Sequence, residues 1–154
     1  MLDIGTYNNE VYGLPFAVSL PIAYYNMDLV RQAGWDENNL PESWDEVIEL
    51  AAKIDALDED ITGMVYGWQI SGNWLWQAPV FSQGGSMLSA DEKQVAFNGP
   101  EGQWALETFS RFFKDAGMKD YSRADGKQAF YSGKSGMWFW STSTVTNAEE
   151  MIGD

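Results

Sequence analysis

Hydrophobic and polar positions change period several times along the chain, and each change marks an element. Trp44, Val47, Ile48, Ala51 and Ile54 recur at helical spacing, which predicts an amphipathic helix over 44–56 with one buried face. Its start is written just upstream: Ser43 and Glu46 stand at capping-box spacing, and Asp45 adds negative charge near the positive end of the helix. Before it, residues 11–17 read as a short extended segment whose Gly13 and Pro15 suit an edge or crossing position. A second extended run follows at 21–25. Asn26 is placed to cap a short helix over 27–33, which Gly34 closes.

Further along, residues 64–70 mix aromatic, β-branched and Gly residues as a buried strand does. Asn73 can cap a helix from Trp74 to Gln83, bent at Pro79 and stopped by Gly84-Gly85. Residues 94–97 suggest a short strand. Pro100 opens a long helix to Lys114, with Trp104, Leu106, Phe109, Phe112 and Phe113 expected on its core side. A loop over 115–123 leads to a helix over 124–131 that Gly133 ends. A strand over 135–140 then passes through the polar turn Ser141-Thr142-Ser143-Thr144 into a last helix. Strands alternating with helices in this rhythm predict an α/β fold.

Composition narrows the functional classes. At 154 residues the chain is long enough for one sizeable core. Nine basic residues against 23 acidic ones leave a net charge of -14, which disfavours a phosphate backbone or an anionic membrane surface as partner. No apolar run approaches the ~20 residues that span a bilayer. The chain has neither Cys nor His, so thiolate chemistry, disulfides and the Ser-His-Asp arrangement are closed to it. No secretory signal is visible at the N-terminus; a polar stretch running directly into a strand suggests that the true start lies upstream.

Two carboxylates would suffice for a glycosidase. Most of those present have plainer assignments: Asp45 and Glu46 at a helix start, Asp58 to Asp60 in a solvated loop, Asp91 and Glu92 in a turn, Glu149 and Glu150 on an exposed helix face. The aromatic residues, 15% of the chain, say more. Trp and Tyr offer flat faces to the C–H faces of a sugar ring while nearby hydroxyls and amides take its OH groups. Trp44, Trp104 and the three Phe of the long helix read as core. Trp74 and Trp76 differ, because residues two apart cannot share one helix face, so one of them is expected to face a cleft. The Ser141–Thr144 turn could bind a ligand hydroxyl or anionic group through hydroxyls and backbone N–H groups, or serve only as a helix cap.

Several short elements in order then carry a resemblance: Val11-Tyr12-Gly13-Leu14-Pro15-Phe16, Tyr24-Tyr25-Asn26-Met27-Asp28-Leu29, Ala33-Gly34, Pro41-Glu42-Ser43-Trp44-Asp45-Glu46, Gly84-Gly85 and Phe130-Tyr131-Ser132-Gly133-Lys134-Ser135-Gly136-Met137. Together they resemble the extracellular solute-binding proteins of carbohydrate ABC importers, among them the maltose-binding and glycerol-3-phosphate-binding branches. The resemblance implies one lobe of a two-lobe α/β periplasmic-binding fold (type II). Residues 1–18 would be a hinge-crossing segment and 19–154 a partial second lobe, with the first lobe and the C-terminal helices outside this sequence. It also implies a sugar or polyol ligand captured between lobes, no cofactor and no metal, delivery to the membrane subunits of an ABC transporter, and a periplasmic or extracellular location. Carried across by position, Ser19 matches a cleft-facing residue, Trp74 an aromatic that stacks on ligand, and Ser141, Thr142 and Ser143 a small polar turn; Trp76 stays a candidate on its own residues. The maltose branch has a bulky aromatic where this chain has Thr144, which leaves the sugar type open. A phosphorylated polyol would draw its Arg or Lys from the missing lobe. A carbohydrate-acting enzyme and a stand-alone carbohydrate-binding module are the competing readings.

Overall fold

The computed structural model describes residues 2–69 and 73–153. A 3-10 turn over Leu2–Gly5 leads into a hairpin of β1 (Thr6–Tyr7) and β2 (Glu10–Val11). Asn8 and Asn9 both take positive φ there, at 49° and 65°, as a type I′ turn requires. The main body follows as β3 (Pro21–Tyr25), α1 (Met27–Gln32), α2 (Trp44–Asp55), β4 (Thr62–Tyr66), α3 (Asn73–Ser82), α4 (Pro100–Lys114), α5 (Arg123–Tyr131), β5 (Ser135–Ser141) and α6 (Val145–Ile152).

The three-stranded sheet has the order β3-β5-β4, with β5 antiparallel to β3 and parallel to β4. Every residue of β5 is buried, because a strand flanks each of its edges and helices cover both its faces. That explains why Ser135-Gly-Met-Trp-Phe-Trp-Ser is a continuous apolar run with no alternation. β3 is an edge strand and begins with Pro21, a position where a missing N–H costs the ladder little.

Side chains on the two faces of β5 meet different helices. On one face Phe139 joins Tyr66 of β4, Trp44 of α2 and Phe112 of α4 in a cluster whose ring centroids lie 5.3–5.9 Å apart. On the other, Trp138 packs on Phe130 and Tyr131 of α5 and on Tyr24 of β3. The result is a layered α/β/α lobe.

Local signals place the helices. Ser43 accepts from the Glu46 N–H while the Glu46 carboxylate accepts from the Glu42 and Ser43 N–H groups, a complete capping box. Those backbone donors, Glu42 first, hold the Glu46 carboxyl below the usual range. Asn26 caps α1, and Gly34, at φ 85°, takes the left-handed position after it. Gly133, at φ 75°, does the same after α5.

Four expectations are corrected. The strand expected over 64–70 is Thr62–Tyr66, ending where Gly67 packs beneath the Trp140 ring; Ile70 lies outside the described residues. Residues 94–97 form no strand, only a bridge between Leu88 and Val95. Asn73 is the first residue of α3, and the position before it lies outside the described residues. In α4, Leu106 and Phe113 are 60% and 38% exposed, because the buried stripe runs through Gly102, Ala105, Thr108, Phe109 and Phe112. Small residues in that stripe let α4 sit close, and the larger side chains at its border fall outside.

The neighbouring phenylalanines therefore separate two environments. Phe112→Ala is expected to cost about 3–5 kcal/mol in urea unfolding, as for a fully enclosed aromatic, and Phe113→Ala less than half of that. Equal costs would contradict this placement of α4.

Candidate functional site

In open α/β sheets ligands bind outside the carboxyl ends of the strands. Here β4 and β5 end together, at Tyr66 and Ser141, and antiparallel β3 begins at the same edge, with Pro21 opposite Ser141. The topology thus gathers the segments after β4, after β5 and before β3 at one rim.

The turn after β5 is held by its own hydroxyls. The Ser141 side chain accepts from the Ser143 N–H at 3.1 Å and shares a 2.8 Å hydrogen bond with the Ser143 hydroxyl. Thr144 Oγ1 donates to the Ser141 carbonyl, and so does the Tyr24 hydroxyl, at 2.7 Å. Thr142 is tied to the chain before β3: its Oγ1 accepts from the Leu20 N–H at 3.0 Å, and its own N–H donates to the Leu20 carbonyl at 2.9 Å. That link brings Ser19, which is exposed, to within one residue of the turn. Ser143 is exposed and Ser141 is buried. The hydroxyls thus act first as a structural clasp, and Ser19, Thr142 and Ser143 present its outer side.

Beside the clasp stands an aromatic shelf. Trp140 stacks on Trp138 with ring planes 5° apart and centroids 6.2 Å apart, and Trp74 meets Trp140 edge-on, also at 6.2 Å. Trp74 is half-buried. The Arg123 guanidinium lies over the Trp140 ring, 4.9 Å from its centroid. Trp68, Gln69, Tyr121 and Ser122 complete a notch of about 20 Å³ around these rings, and Gln69 Nε2 donates to the Tyr121 carbonyl at 3.1 Å. Below it, burial raises the Tyr66 hydroxyl pKa, keeping a neutral phenol that donates to the Leu75 carbonyl at 2.7 Å and fixes α3.

Trp76 is placed elsewhere. Its ring packs edge-on against Phe97 at 5.3 Å, and its indole N–H is buried without a hydrogen-bond partner. The two tryptophans of α3 do point to different surroundings, and only Trp74 joins the shelf.

Trp138 and Trp140 lie in a continuous apolar run, which reads as core and hides them in the sequence. Arg123 did carry a signal. A cation at the first residue of a helix opposes the helix dipole, so its presence there calls for another reason.

Two larger hollows lie elsewhere on the lobe, the first of which reaches the rim at Pro21 and Tyr66. An apolar groove of about 270 Å³ runs between β3 and α3 over Trp44, Tyr66 and Phe139, and a polar one of about 440 Å³ contains the Arg111–Asp45 ion pair. The carboxylates are scattered among caps, turns and ion pairs: Asp45 on Arg111, Asp60 on Lys134, Asp91 in a turn with Ser89. Among the described residues no group of three acidic side chains is placed to hold a metal ion. No helix among them is long and apolar enough to cross a membrane.

The family model of bacterial extracellular solute-binding proteins matches residues 1–152. The chain belongs to that family. A similar curated solute-binding protein, the sn-glycerol-3-phosphate-binding periplasmic protein UgpB of Brucella abortus, is 30% identical over 135 residues, covering 84% of this chain and 31% of its own length. Among solved solute-binding proteins, an ABC transporter protein of Thermotoga lettingae bound with α-D-tagatose superposes with a TM-score of 0.80 at 24% identity, over 97% of this chain and 40% of that one. UgpB of Mycobacterium tuberculosis in complex with glycerophosphocholine gives 0.79 at 20% identity, over 99% of this chain and 38% of that one. The chain thus spans about a third of the curated relative's length, and its fold is one lobe of a two-lobe solute-binding protein.

The shelf depends on Gly67, where a Cβ would overlap the Trp140 ring. Gly67→Ala is expected to cost about 1–3 kcal/mol by overpacking and to change the near-ultraviolet circular dichroism of the stacked tryptophans. A stable variant with an unaltered tryptophan spectrum would show that Trp140 is not held in this way.

Proposed function

We propose that this chain supplies one wall of the ligand cleft in the solute-binding component of an ABC importer, and that the ligand is a sugar or polyol. The observation that carries the reading is the pairing of an aromatic shelf, Trp74 on Trp140, with a hydroxyl clasp at the shared carboxyl edge of β4 and β5. A polyhydroxylated ring or chain has apolar C–H faces for the former and hydroxyls for the latter. The ligands in the relatives' names, glycerol 3-phosphate, tagatose and glycerophosphocholine, all carry at least two adjacent free hydroxyls. Ser19, Trp74, Thr142 and Ser143 are the contacts we assign, with Ser141 holding the turn; Trp76 supports α3 from behind.

The notch at this rim is small because a second lobe forms the opposite wall in our reading. Residues 1–18 are the crossing between lobes, and this accounts for their exposed apolar side chains: Leu14, Phe16 and Val18 stand in solvent, as monomeric domains rarely leave a contiguous apolar stretch. Ligand bridging the lobes selects the closed form, and the importer's membrane subunits read that closure outside the cytoplasmic membrane. The chain's role is capture and release without catalysis; the dispersal of its carboxylates supports this over a glycosidase.

A thermal-shift panel of sugars, sugar alcohols and glycerol phosphates on the full-length protein tests this. A ligand at 100 times its dissociation constant adds about 2.7 kcal/mol to stability. One chemical class is expected to raise the midpoint, and Trp74→Ala to abolish the rise. No shift across the panel, or one indifferent to Trp74, would contradict the proposal.

A further inference from the structure

We infer that Arg123, its guanidinium held over the Trp140 ring, is a specificity-determining contact for an anionic group on the ligand, a phosphate or a carboxylate. The inference rests on the cleft reading above and narrows it to a charged polyol or sugar acid.

Three observations converge on this side chain. First, its partners set it apart. Of the three arginines, Arg31 is paired with Asp28 and Glu37, and Arg111 with Asp45 and Asp115. Among the described residues Arg123 has no carboxylate partner, in a chain where 23 acidic residues outnumber nine basic ones. Its nearest acidic neighbour in sequence, Asp125, is turned back into the helix cap, where the Ser122 hydroxyl donates to it at 2.6 Å. Second, its position is electrostatically unfavourable for the fold alone, since it is the first residue of α5 and faces the positive end of that helix. An anion beside it would be favoured by both charges. Third, Arg123 is exposed, and its guanidinium, with a planar N–H fork, lies over the Trp140 ring, 4.9 Å from its centroid, where it lines the notch. That planar fork matches two oxygens of a phosphate or carboxylate, which a point-charge ammonium does not. An anionic ligand would then need no cation from outside this lobe, in contrast to the expectation drawn from the sequence.

The test is isothermal titration of the full-length protein and its Arg123→Gln and Arg123→Lys variants. Glycerol 3-phosphate and gluconate serve as the phosphate and carboxylate probes, sorbitol and glucose as neutral ones. Arg123→Gln is expected to weaken the preferred anion by about tenfold or more relative to the neutral ligands, with Arg123→Lys between the two. Raising the salt concentration should weaken anion binding in the wild type and much less in Arg123→Gln. If the wild type binds only the anion, loss in Gln with partial retention in Lys supports the inference, and equal loss in both overturns it. The inference is also overturned if anionic and neutral affinities fall by the same factor, or if only neutral ligands bind, and both of those results leave the cleft reading standing. A protein that binds none of the four probes overturns both.

Discussion

The enclosure of β5 is the constraint on which the rest of this lobe depends. A strand with neighbours on both edges and helices on both faces must bury seven consecutive side chains, and Ser135 to Ser141 do so. Its odd and even positions then organise separate layers: Phe139 anchors the cluster with Trp44, Tyr66 and Phe112, while Trp138 receives α5 and β3. The last two residues of the strand serve the rim. Trp140, itself buried, is the floor of the aromatic shelf, and Ser141 begins the turn that ties β5 to the chain before β3. Candidate site and core are therefore one continuous structure, and the groups proposed to face the ligand need no separate scaffold.

In the proposed reading the rim, and not the roomier grooves, is the functional face. The apolar groove over Trp44 is larger, but its lining is almost wholly hydrocarbon and offers a polyol few hydrogen-bond partners. The polar hollow by α4 is occupied by the Arg111–Asp45 pair, whose charges already satisfy one another. At the strand ends lie the hydroxyls of the turn, the stacked indoles and Arg123, which has no carboxylate partner among the described residues. Room is the less informative property in a lobe whose cleft would be completed by another body.

Much of the fold was legible because its signals are local. The capping box at Ser43 and Glu46, the cap at Asn26, Pro100 at the start of α4 and the glycines after α1 and α5 each specify a boundary through a backbone hydrogen bond or a φ angle, whatever lies further away. The reading failed where tertiary contact decides. Leu106 and Phe113 have helical spacing like their neighbours, yet close approach of α4 along Gly102 and Ala105 leaves them outside. The strand after Thr62 stops early because Gly67 has to pass under Trp140, a residue more than seventy positions away. The site shows the same division. Trp74 and the Ser-Thr turn are candidates both on local spacing and on the family resemblance. Trp140 reads like any core residue of a buried strand, and only the meeting of α3, α5 and β5 places it against Trp74 and Arg123.

The most direct test of the account is amide hydrogen exchange on the full-length protein, with and without the ligand that it binds. Protection on binding is predicted in residues 67–69, 121–123 and 142–144, the three segments that meet at the strand ends. Protection confined to residues 22–23 and 80–82, beside the apolar groove, with none in the three segments at the strand ends, would contradict it.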